Sequence, residues 1–531
     1  MRWPWLTRCM RLSSTALLVT PFLLMPPALA YNKAVASNPC MWDTSPGWVK
    51  RENAKPGNAN WANKIALEYS GDYTAKEKGL PATSWNRSKP GPKAVEGWFD
   101  SPSATCGDHI GLHISGNGRG VRIKIYRLGY YGGAGARLIT STSVGPIKQY
   151  GTPQISKAPE STVSTNWPVA WQLKITSATM PGQYLLRLDD GGGDSSFVPL
   201  TIEDPKIHSS ITFVSSILTW QAYNQWGGYS LYKGPNMQRG TRATIVSFNR
   251  PYDGDGSGQF RYMEYPLVKI AERLGLDMNY ITDLELDQKI ASLKNTKSIL
   301  YGGHGEYWTA NMRSNLQGSI DSGINVVSLG GNAAYAHPRL QAHNRELVMW
   351  RSSLADPNRN DPVLATTGWR QVPILQPEAK ILGAQYVGLG VSGDYTIPHP
   401  HRWPFARMTH SAVLKSIVGR EVDSPLYSIG PAVEVLADSA VDFHGKAVTI
   451  MATYYTNSKN AGVIDISTNG WTCAIDDICP WHPGISRDTK TDARLITEEI
   501  LRGMAKGPLG IWRPAIIDLL ERTKISALQR I

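Results

Sequence analysis

Residues 298–335, SILYGGHGEYWTANMRSNLQGSIDSGINVVSLGGNAAY, contain one complete unit of strand, helix and strand. The apolar runs at 298–301 and 324–329 predict buried strands, and the segment 309–322 between them has the length of a helix. Strands that alternate with helices along a chain form mostly parallel sheets. This segment therefore predicts a doubly wound α/β sheet.

The same alternation continues on both sides of this segment. Further strands are predicted at 211–214, 244–248, 278–281, 448–452 and 462–466, and further helices at 263–274 and 492–504. Upstream, by contrast, the stretches 121–126, 172–175 and 184–188 alternate with a period of two, and turn residues separate them. Short strands spaced in this way are typical of a β-sandwich.

These patterns predict an α+β multidomain protein. An N-terminal Ig-like β-sandwich is followed by an α/β doubly wound domain of the glutamine-amidotransferase-like or flavodoxin-like type, and the pattern changes at residues 203–206. We expect a signal peptide at 1–30, an irregular N-terminal segment at 31–95, the β-sandwich domain at 96–205, the α/β domain at 206–506 and a C-terminal tail at 507–531.

The composition is that of a folded protein of several domains. The 531 residues are 41% apolar and include 18 Trp and 23 Tyr, which excludes extended disorder. The formal charge is +12, but the basic residues are scattered and form no lysine-rich or arginine-rich run. Because nucleic-acid-binding proteins concentrate positive charge on one face, nucleic acid is not an expected partner.

The N-terminus has the three parts of a cleavable signal peptide. Three arginines accompany an apolar run at 12–25, and small residues at 28–30 suit cleavage before Tyr31. Polar residues and prolines interrupt the run, so it is a poor match to the ~20 apolar residues of a membrane span, although an uncleaved anchor is the alternative. We expect a periplasmic or secreted mature chain that does not span a membrane.

The cysteines agree with export into an oxidising compartment. Of the five, Cys9 lies in the signal peptide, and an even set of four remains, Cys40, Cys106, Cys473 and Cys479. Cys473 and Cys479 enclose a short polar loop and pair most simply with each other, which leaves Cys40 with Cys106. Four cysteines allow three connectivities, so this pairing rests on proximity in the sequence alone.

Polar residues follow several of the predicted strands. Since ligands bind beyond the carboxyl ends of the strands in open parallel sheets, we expect Tyr223, Tyr232, His304, Glu306 and Asn332 to lie close together. A carboxylate with phenolates is a hard ligand set that suits a ferric ion. There are alternative interpretations without a metal. The tyrosines could simply pack in the core, and the histidine could make an ordinary hydrogen bond. The glutamate could lie in an exposed loop or at a helix N-terminus.

The same stretches resemble the N,N-dimethylformamidase large-subunit (beta-subunit-like) family, in its C-terminal domain. The resemblance covers about residues 211–423, ends in GREVD at 419–423, and reaches the predicted sandwich through IYRLGYYGG at 125–133. The motifs that carry it are TWQAYN at 219–224, WGGYSLY at 226–232, NRPY at 249–252, HGEYW at 304–308 and GGN at 330–332.

The resemblance implies a mononuclear ferric ion that two tyrosines and a glutamate hold. It also implies a histidine and an asparagine beside the reacting water and the substrate. Through HGEYW, the glutamate corresponds to Glu306 and the histidine to His304, and through GGN the asparagine corresponds to Asn332.

The tyrosine ligands carry over less directly. Tyr223 fits the motif after the first strand, and Tyr232 fits the second position. Tyr229 and Tyr301 are the alternatives for that second position, because the amidase has a longer insertion between its two tyrosines.

We therefore expect an exported, metal-dependent amidohydrolase that cleaves the C–N bond of a small linear amide with iron-activated water. A zinc site that uses His304 and Glu306 is the alternative metal centre. The alternative function is a non-catalytic envelope module that binds a glycan or a peptide on its aromatic residues. A homo-oligomer is compatible with the sequence, and the small partner subunit of the amidase is not evident in this chain.

Overall fold

A computed structural model describes residues 40–62, 93–151, 153–288, 293–352, 354–426, 428–443, 445–476, 482 and 484–517. The predicted signal peptide lies outside these residues, as do residues 31–39 and 63–92 of the predicted irregular segment. The described part of the chain is a mixture of α and β structure with many strands and few long helices. Its helices include none with both the length and the apolar character needed to cross a membrane.

Ten strands between residues 96 and 202 form three sheets, two of which share a hydrophobic cluster. They are β1 (Glu96–Phe99), β2 (Ser103–Ala104), β3 (His109–Ser115), β4 (Gly120–Leu128), β5 (Ala136–Pro146), β6 (Gln154–Ile155), β7 (Val163–Ser164), β8 (Val169–Lys174), β9 (Gly182–Asp189) and β10 (Ser195–Ile202). The order is β1-β3-β8 in one sheet and β2-β10-β9-β4-β5 in a second, and β6 pairs with β7. Apolar side chains of the first two sheets pack in one cluster.

The strands predicted upstream are confirmed as β4, β8 and β9. In β4, Val121, Ile123 and Ile125 are buried, whereas Arg122 between them is exposed. Successive side chains of a strand point to opposite faces, so this alternation places one face of β4 on the shared cluster.

Fourteen strands follow in the second half of the described chain. They are β11 (Ile211–Ser215), β12 (Ile245–Ser247), β13 (Met278–Thr282), β14 (Ser298–Tyr301), β15 (Asn325–Ser328), β16 (Ala336–His337), β17 (Arg339–Gln341), β18 (Glu346–Val348), β19 (Thr367–Gly368), β20 (Gln385–Thr396), β21 (Val413–Ser424), β22 (Glu434–Phe443), β23 (Lys446–Thr456) and β24 (Gly462–Asp465). Nine of them form one sheet in the order β13-β11-β14-β15-β24-β23-β22-β20-β21.

The described helices are short except for the last. They are α1 (Trp48–Asn53), α2 (Ile217–Tyr223), α3 (Phe260–Met263), α4 (Tyr265–Arg273), α5 (Asp283–Gln288), α6 (Ala310–Asp321), α7 (Ala379–Leu382), α8 (Gly470–Ile475) and α9 (Arg487–Lys506). The helix predicted at 309–322 is confirmed as α6, and the Thr309 side chain caps it by accepting a hydrogen bond from the Met312 backbone. The helix predicted at 263–274 is divided at Glu264 into α3 and α4.

The nine-stranded sheet is only half parallel, which differs from the prediction of a mostly parallel sheet. The strands from β13 to β24 in the sheet order are parallel, and those from β24 to β21 are antiparallel. The sequence pattern did not predict strands β20 and β21, because their pairing contains three register shifts and β20 is partly exposed. Such irregularities blur the two-residue alternation that marks a strand. The strand predicted at 244–248 is β12, which pairs with β18 in a separate small sheet.

The parallel half of the sheet contains a change in chain direction. Strand β11 pairs with β13 on one side and with β14 on the other. After β11 the chain therefore forms β13 on one side of this strand and then β14 on its other side. In open sheets a crevice forms at such a point, beyond the carboxyl ends of the strands.

The described cysteines are disulfide-bonded. A disulfide joins Cys40 to Cys106, the pairing that proximity favours. Cys473 is disulfide-bonded as well, and Cys479, its predicted partner, lies outside the described residues.

A fully buried ion pair links the first sheets to the second half of the chain. Arg127 on β4 donates two hydrogen bonds to Glu272 on α4, at 2.7 and 2.9 Å, and neither side chain is exposed. Arg127 also donates to the Tyr131 hydroxyl, while the Tyr280 hydroxyl donates to Glu272. Each charge is therefore compensated inside the protein.

We expect Glu272→Gln to lower the free energy of unfolding by about 3–5 kcal/mol, because it leaves the Arg127 charge buried without its partner. The double variant Arg127→Met with Glu272→Leu should recover part of the loss, since neither charge of this pair remains buried. Urea denaturation measures both changes, and Lys415→Gln in the exposed pair with Asp394 is the control. Wild-type stability of Glu272→Gln would contradict this role.

Candidate metal centre

The predicted site residues lie at the ends of neighbouring strands. Tyr223 ends α2, which follows β11, and Tyr232 lies in the loop beyond it. His304 and Glu306 follow β14, and Asn332 follows β15. The five residues therefore lie in the segments that follow three adjacent parallel strands.

Glu306 is the acceptor at the middle of this group. The Tyr223 hydroxyl donates to its Oε2 at 2.7 Å, and the Tyr232 hydroxyl lies 2.6 Å from Oε1 and 2.5 Å from Oε2. The two phenol rings stack with their centroids 4.2 Å apart. Glu306 is only 2% exposed and both tyrosines are half-buried, so two phenols meet on one carboxylate that is shielded from solvent.

The alternative tyrosines are placed differently. Tyr301 on β14 is fully buried against Trp308, and its hydroxyl has no hydrogen-bond partner among the described residues. Tyr229 contributes its backbone carbonyl, which accepts from Arg250. Within the described chain, the phenols that hydrogen-bond to Glu306 are those of Tyr223 and Tyr232.

His304 presents one ring nitrogen to two carboxylates. Its Nε2 lies 3.6 Å from Oε2 of Glu306 and 2.8 Å from Oε2 of Glu421, but without the alignment of a hydrogen bond. Its Nδ1 lies 3.1 Å from Oε1 of Gln259, which can accept a hydrogen bond from it. A histidine that donates through Nδ1 is free to bind a metal through Nε2.

Glu421 on β21 is a site residue that sequence reasoning missed. Its carboxylate accepts a hydrogen bond from the Asn469 side chain at 2.9 Å and is 5% exposed. The signal was present, because residues 419–423 belong to the stretch that resembles the family. It was not assigned a role because β21 was not recognised as a strand of the sheet that forms the site.

Asn332 is fixed by its backbone. It has a left-handed φ of 59°, and its N–H donates to both carboxylate oxygens of Asp423, at 3.0 and 2.8 Å. The neighbouring Gly331 donates to Asn469, which also contacts Glu421. Oδ1 of Asn332 is buried without a hydrogen-bond partner in the described chain. The Asn332 loop is thus tied to the same strand as Glu421.

Arg351 is the second site residue that the sequence did not indicate. Its guanidinium carbon lies 3.8 Å from the centroid of the Tyr232 ring, and Nη2 lies 3.7 Å from Oε1 of Glu306. It follows β18 in a loop without periodic pattern, where no motif pointed to it.

Burial and charge set the protonation of the site. Burial raises the pKa of the Glu306 carboxyl, and the Arg351 charge opposes this increase. Burial likewise raises the pKa of the Glu421 carboxyl, but His304 and Arg420 outweigh it, so that this pKa lies below its usual value. Burial also raises the pKa of both phenols, Tyr223 and Tyr232, well above the usual value. In the absence of a cation the phenols are therefore hydrogen-bond donors.

The donor set fits a metal ion. One ligand atom each of His304, Glu306 and Glu421 lies within 4.8 Å of the others, and all three side chains are buried. Together with the phenols of Tyr223 and Tyr232, these residues offer oxygen and nitrogen donors without a thiolate. Phenolate and carboxylate oxygens suit a ferric ion, whereas histidine with two carboxylates also suits zinc.

Comparisons with curated proteins and with one solved structure give no relative that covers most of the chain. None of the curated proteins matches it. One solved structure, "Chimeric titin Z1Z2-Z1Z2 tandem (Z1212) functionalized with a GRGDS exogenous peptide from fibronectin", is 21% identical over 21% of this chain. The match covers 52% of that structure, about half its length, and its TM-score of 0.12 does not establish a shared fold.

The family model described as "N,N-dimethylformamidase beta subunit-like, C-terminal" matches residues 122–485. This range begins in β4 and includes every residue of the candidate centre, from Tyr223 to Glu421. It exceeds half of the 531 residues. The chain therefore belongs to the N,N-dimethylformamidase beta subunit-like, C-terminal family.

Proposed function

We propose that this protein is an exported hydrolase that cleaves the amide-type C–N bond of a small linear amide at a mononuclear ferric centre. Tyr223, Tyr232 and Glu306 would hold the iron, and His304, Asn332 and Glu421 would act on water and substrate. The observation that carries the proposal is the meeting of two phenols on one buried carboxylate, beside a histidine without an aligned partner at Nε2.

The family supports the reaction class. Membership of a dimethylformamidase-like family suggests a hydrolase of that kind. When bound, the iron supplies a Lewis acid that makes water more acidic and polarises a carbonyl group.

Glu421 and His304 are the residues that would transfer protons in this reaction. The low pKa of Glu421 keeps it ionised, and its Oε2 lies 2.8 Å from Nε2 of His304. An ionised carboxylate beside an imidazole can take a proton from an attacking water and return it to the leaving nitrogen. Asn469 donates to Glu421 and thereby orients this carboxylate.

Asn332 is suited to bind the substrate carbonyl. Its side-chain amide can donate to the carbonyl oxygen as negative charge develops there, and the hydrogen bonds from its backbone to Asp423 hold it in place beforehand. His304, Glu306, Asn332 and Glu421 are each at most 5% exposed. Polar interactions in so dry a site are stronger than they would be in water.

Export is supported by chemistry away from the site. A disulfide between Cys40 and Cys106 persists in oxidising compartments and is rare in reducing ones. We propose on this ground, together with the sequence of residues 1–30, that a signal peptide directs the chain to the periplasm or the medium.

The alternative of a glycan-binding module has less support. Sugar-binding aromatic residues present an open face to solvent, but most tryptophans here are buried or half-buried. Among the described residues, Trp512 is the exposed tryptophan, and it packs against Trp403.

Glu306→Gln should abolish iron binding, because it replaces the charged acceptor at the middle of the site with a neutral amide. The mature chain from Tyr31, purified without chelator, is assayed for iron and for a visible phenolate-to-iron absorption band. Glu346→Gln, the same change on β18, is the control and should keep both. Full iron content in Glu306→Gln would contradict the ligand assignment, and zinc without a visible band would favour the zinc alternative.

Glu421→Gln should separate binding from catalysis. We expect iron content to remain near that of wild type and kcat to fall by roughly 10²- to 10⁴-fold, as for loss of a general base. Hydrolysis of a panel of linear amides, followed by amine release, measures the rate. An unchanged rate would remove Glu421 from the mechanism, and loss of iron in this variant would make it a ligand instead.

A further inference from the structure

Two residues outside the proposed ligand set contact one of the two phenols. Tyr307, which is fully buried, donates from its hydroxyl to the Tyr232 hydroxyl at 3.1 Å, and Arg351 Nη2 donates to the Tyr307 hydroxyl. The Arg351 guanidinium also covers the Tyr232 ring at 3.8 Å. A second donor and a cation therefore lie against Tyr232 in addition to the carboxylate of Glu306.

The direction of these hydrogen bonds follows from the groups involved. Arginine can only donate, so the Tyr307 oxygen accepts from Arg351 and its own proton is free to point at Tyr232. Tyr232 in turn directs its proton to Glu306. If Tyr232 gives up that proton to become a metal ligand, Tyr307 still donates to its oxygen.

Arg351 differs from the structural arginine of the same chain. Arg127 makes two hydrogen bonds of 2.7 and 2.9 Å to the carboxylate of Glu272. Arg351 instead lies 3.7 Å from the carboxylate of Glu306 and directs its donor to a phenol. Its backbone has a left-handed φ of 58°, an unfavourable conformation for arginine that the surrounding structure must hold in place.

The two phenols are consequently unequal. The ring centroid of Tyr223 lies 4.2 Å from that of Tyr232 and 5.2 Å from that of His304. Of these two tyrosine rings, the one that lies under a guanidinium in the described structure is that of Tyr232. Negative charge on the oxygen of Tyr232 is therefore stabilised more than negative charge on the oxygen of Tyr223.

We propose that Tyr307 and Arg351 are positioning residues that make Tyr232 the weaker electron donor of the two tyrosine ligands. The inference rests on the proposed function, because it requires a bound ferric ion. A donor and a positive charge at a phenolate lower the energy of its electrons, as outer hydrogen bonds tune other metal sites. A weaker phenolate donor leaves more positive charge available to polarise a substrate carbonyl.

The energy of the visible absorption band reports this effect directly. Moving an electron from phenolate to ferric iron takes more energy when the phenolate oxygen is stabilised, so removal of the donor or the cation should shift the band to longer wavelength. A residue with a merely structural role changes stability but not the position of this band.

The experiment compares iron-loaded wild type with Tyr307→Phe, Arg351→Leu and Arg351→Lys, after iron has been measured in each. We expect the first two variants to keep iron and to absorb at longer wavelength, and Arg351→Lys to lie nearer wild type because it keeps the charge. Tyr265→Phe is the matched control and should leave the band unmoved, since the hydroxyl of this half-buried side chain donates to the Gly135 carbonyl instead.

An unmoved band in both Tyr307→Phe and Arg351→Leu, at wild-type iron content, would overturn the inference and leave the proposed function standing. Wild-type protein without iron or without a visible band would overturn both. If Tyr307→Phe fails to load iron, Arg351→Leu decides alone, because it leaves every proposed ligand and the Tyr307 hydroxyl in place.

Discussion

The site is organised by one buried carboxylate. Glu306 is almost excluded from water, and the Arg351 guanidinium and the His304 ring remain 3.7 and 3.6 Å away, so hydrogen bonds must supply most of its compensation. A buried charge without such partners is costly, because the interior of a protein solvates it poorly. The hydroxyls of Tyr223 and Tyr232 meet this requirement together. Phenol oxygens are also donors that a ferric ion prefers. The two tyrosines that stabilise the buried charge of Glu306 are therefore the same two that are proposed to bind the metal.

The fold satisfies this constraint through the order of its strands. Because β11 lies between β13 and β14, the segments that follow β11 and β14 open onto one crevice, and they carry the tyrosines and Glu306. The antiparallel half of the sheet then brings β21 to the other side, with Glu421 facing His304 and Asp423 holding Asn332. A mixed sheet thus contributes the proposed ligands from its parallel half and the proposed proton acceptor from its antiparallel half.

The sequence predicted the parallel half of the fold and the residues attached to it. Strands β11, β13, β14 and β15 are short apolar runs with clear boundaries, and the polar residues after them follow from the geometry of parallel sheets. Glu421 and Arg351 could not be found in this way. The first lies on a strand whose bulges hide its periodicity, and the second lies in an irregular loop after β18. Glu421 and Arg351 both contact site residues that are distant in the sequence, and local sequence patterns do not predict such contacts.

The central claim, that Tyr223, Tyr232 and Glu306 bind one iron, is tested most directly by anomalous diffraction from crystals of the mature chain grown without chelator. Data collected just above and just below the iron absorption edge isolate the signal of iron from that of other metals. The account predicts one strong difference peak, bounded by the two phenol oxygens and the Glu306 carboxylate, that vanishes below the edge. A peak that appears only at the zinc edge, a peak elsewhere in the molecule, or no peak from colourless crystals would contradict it.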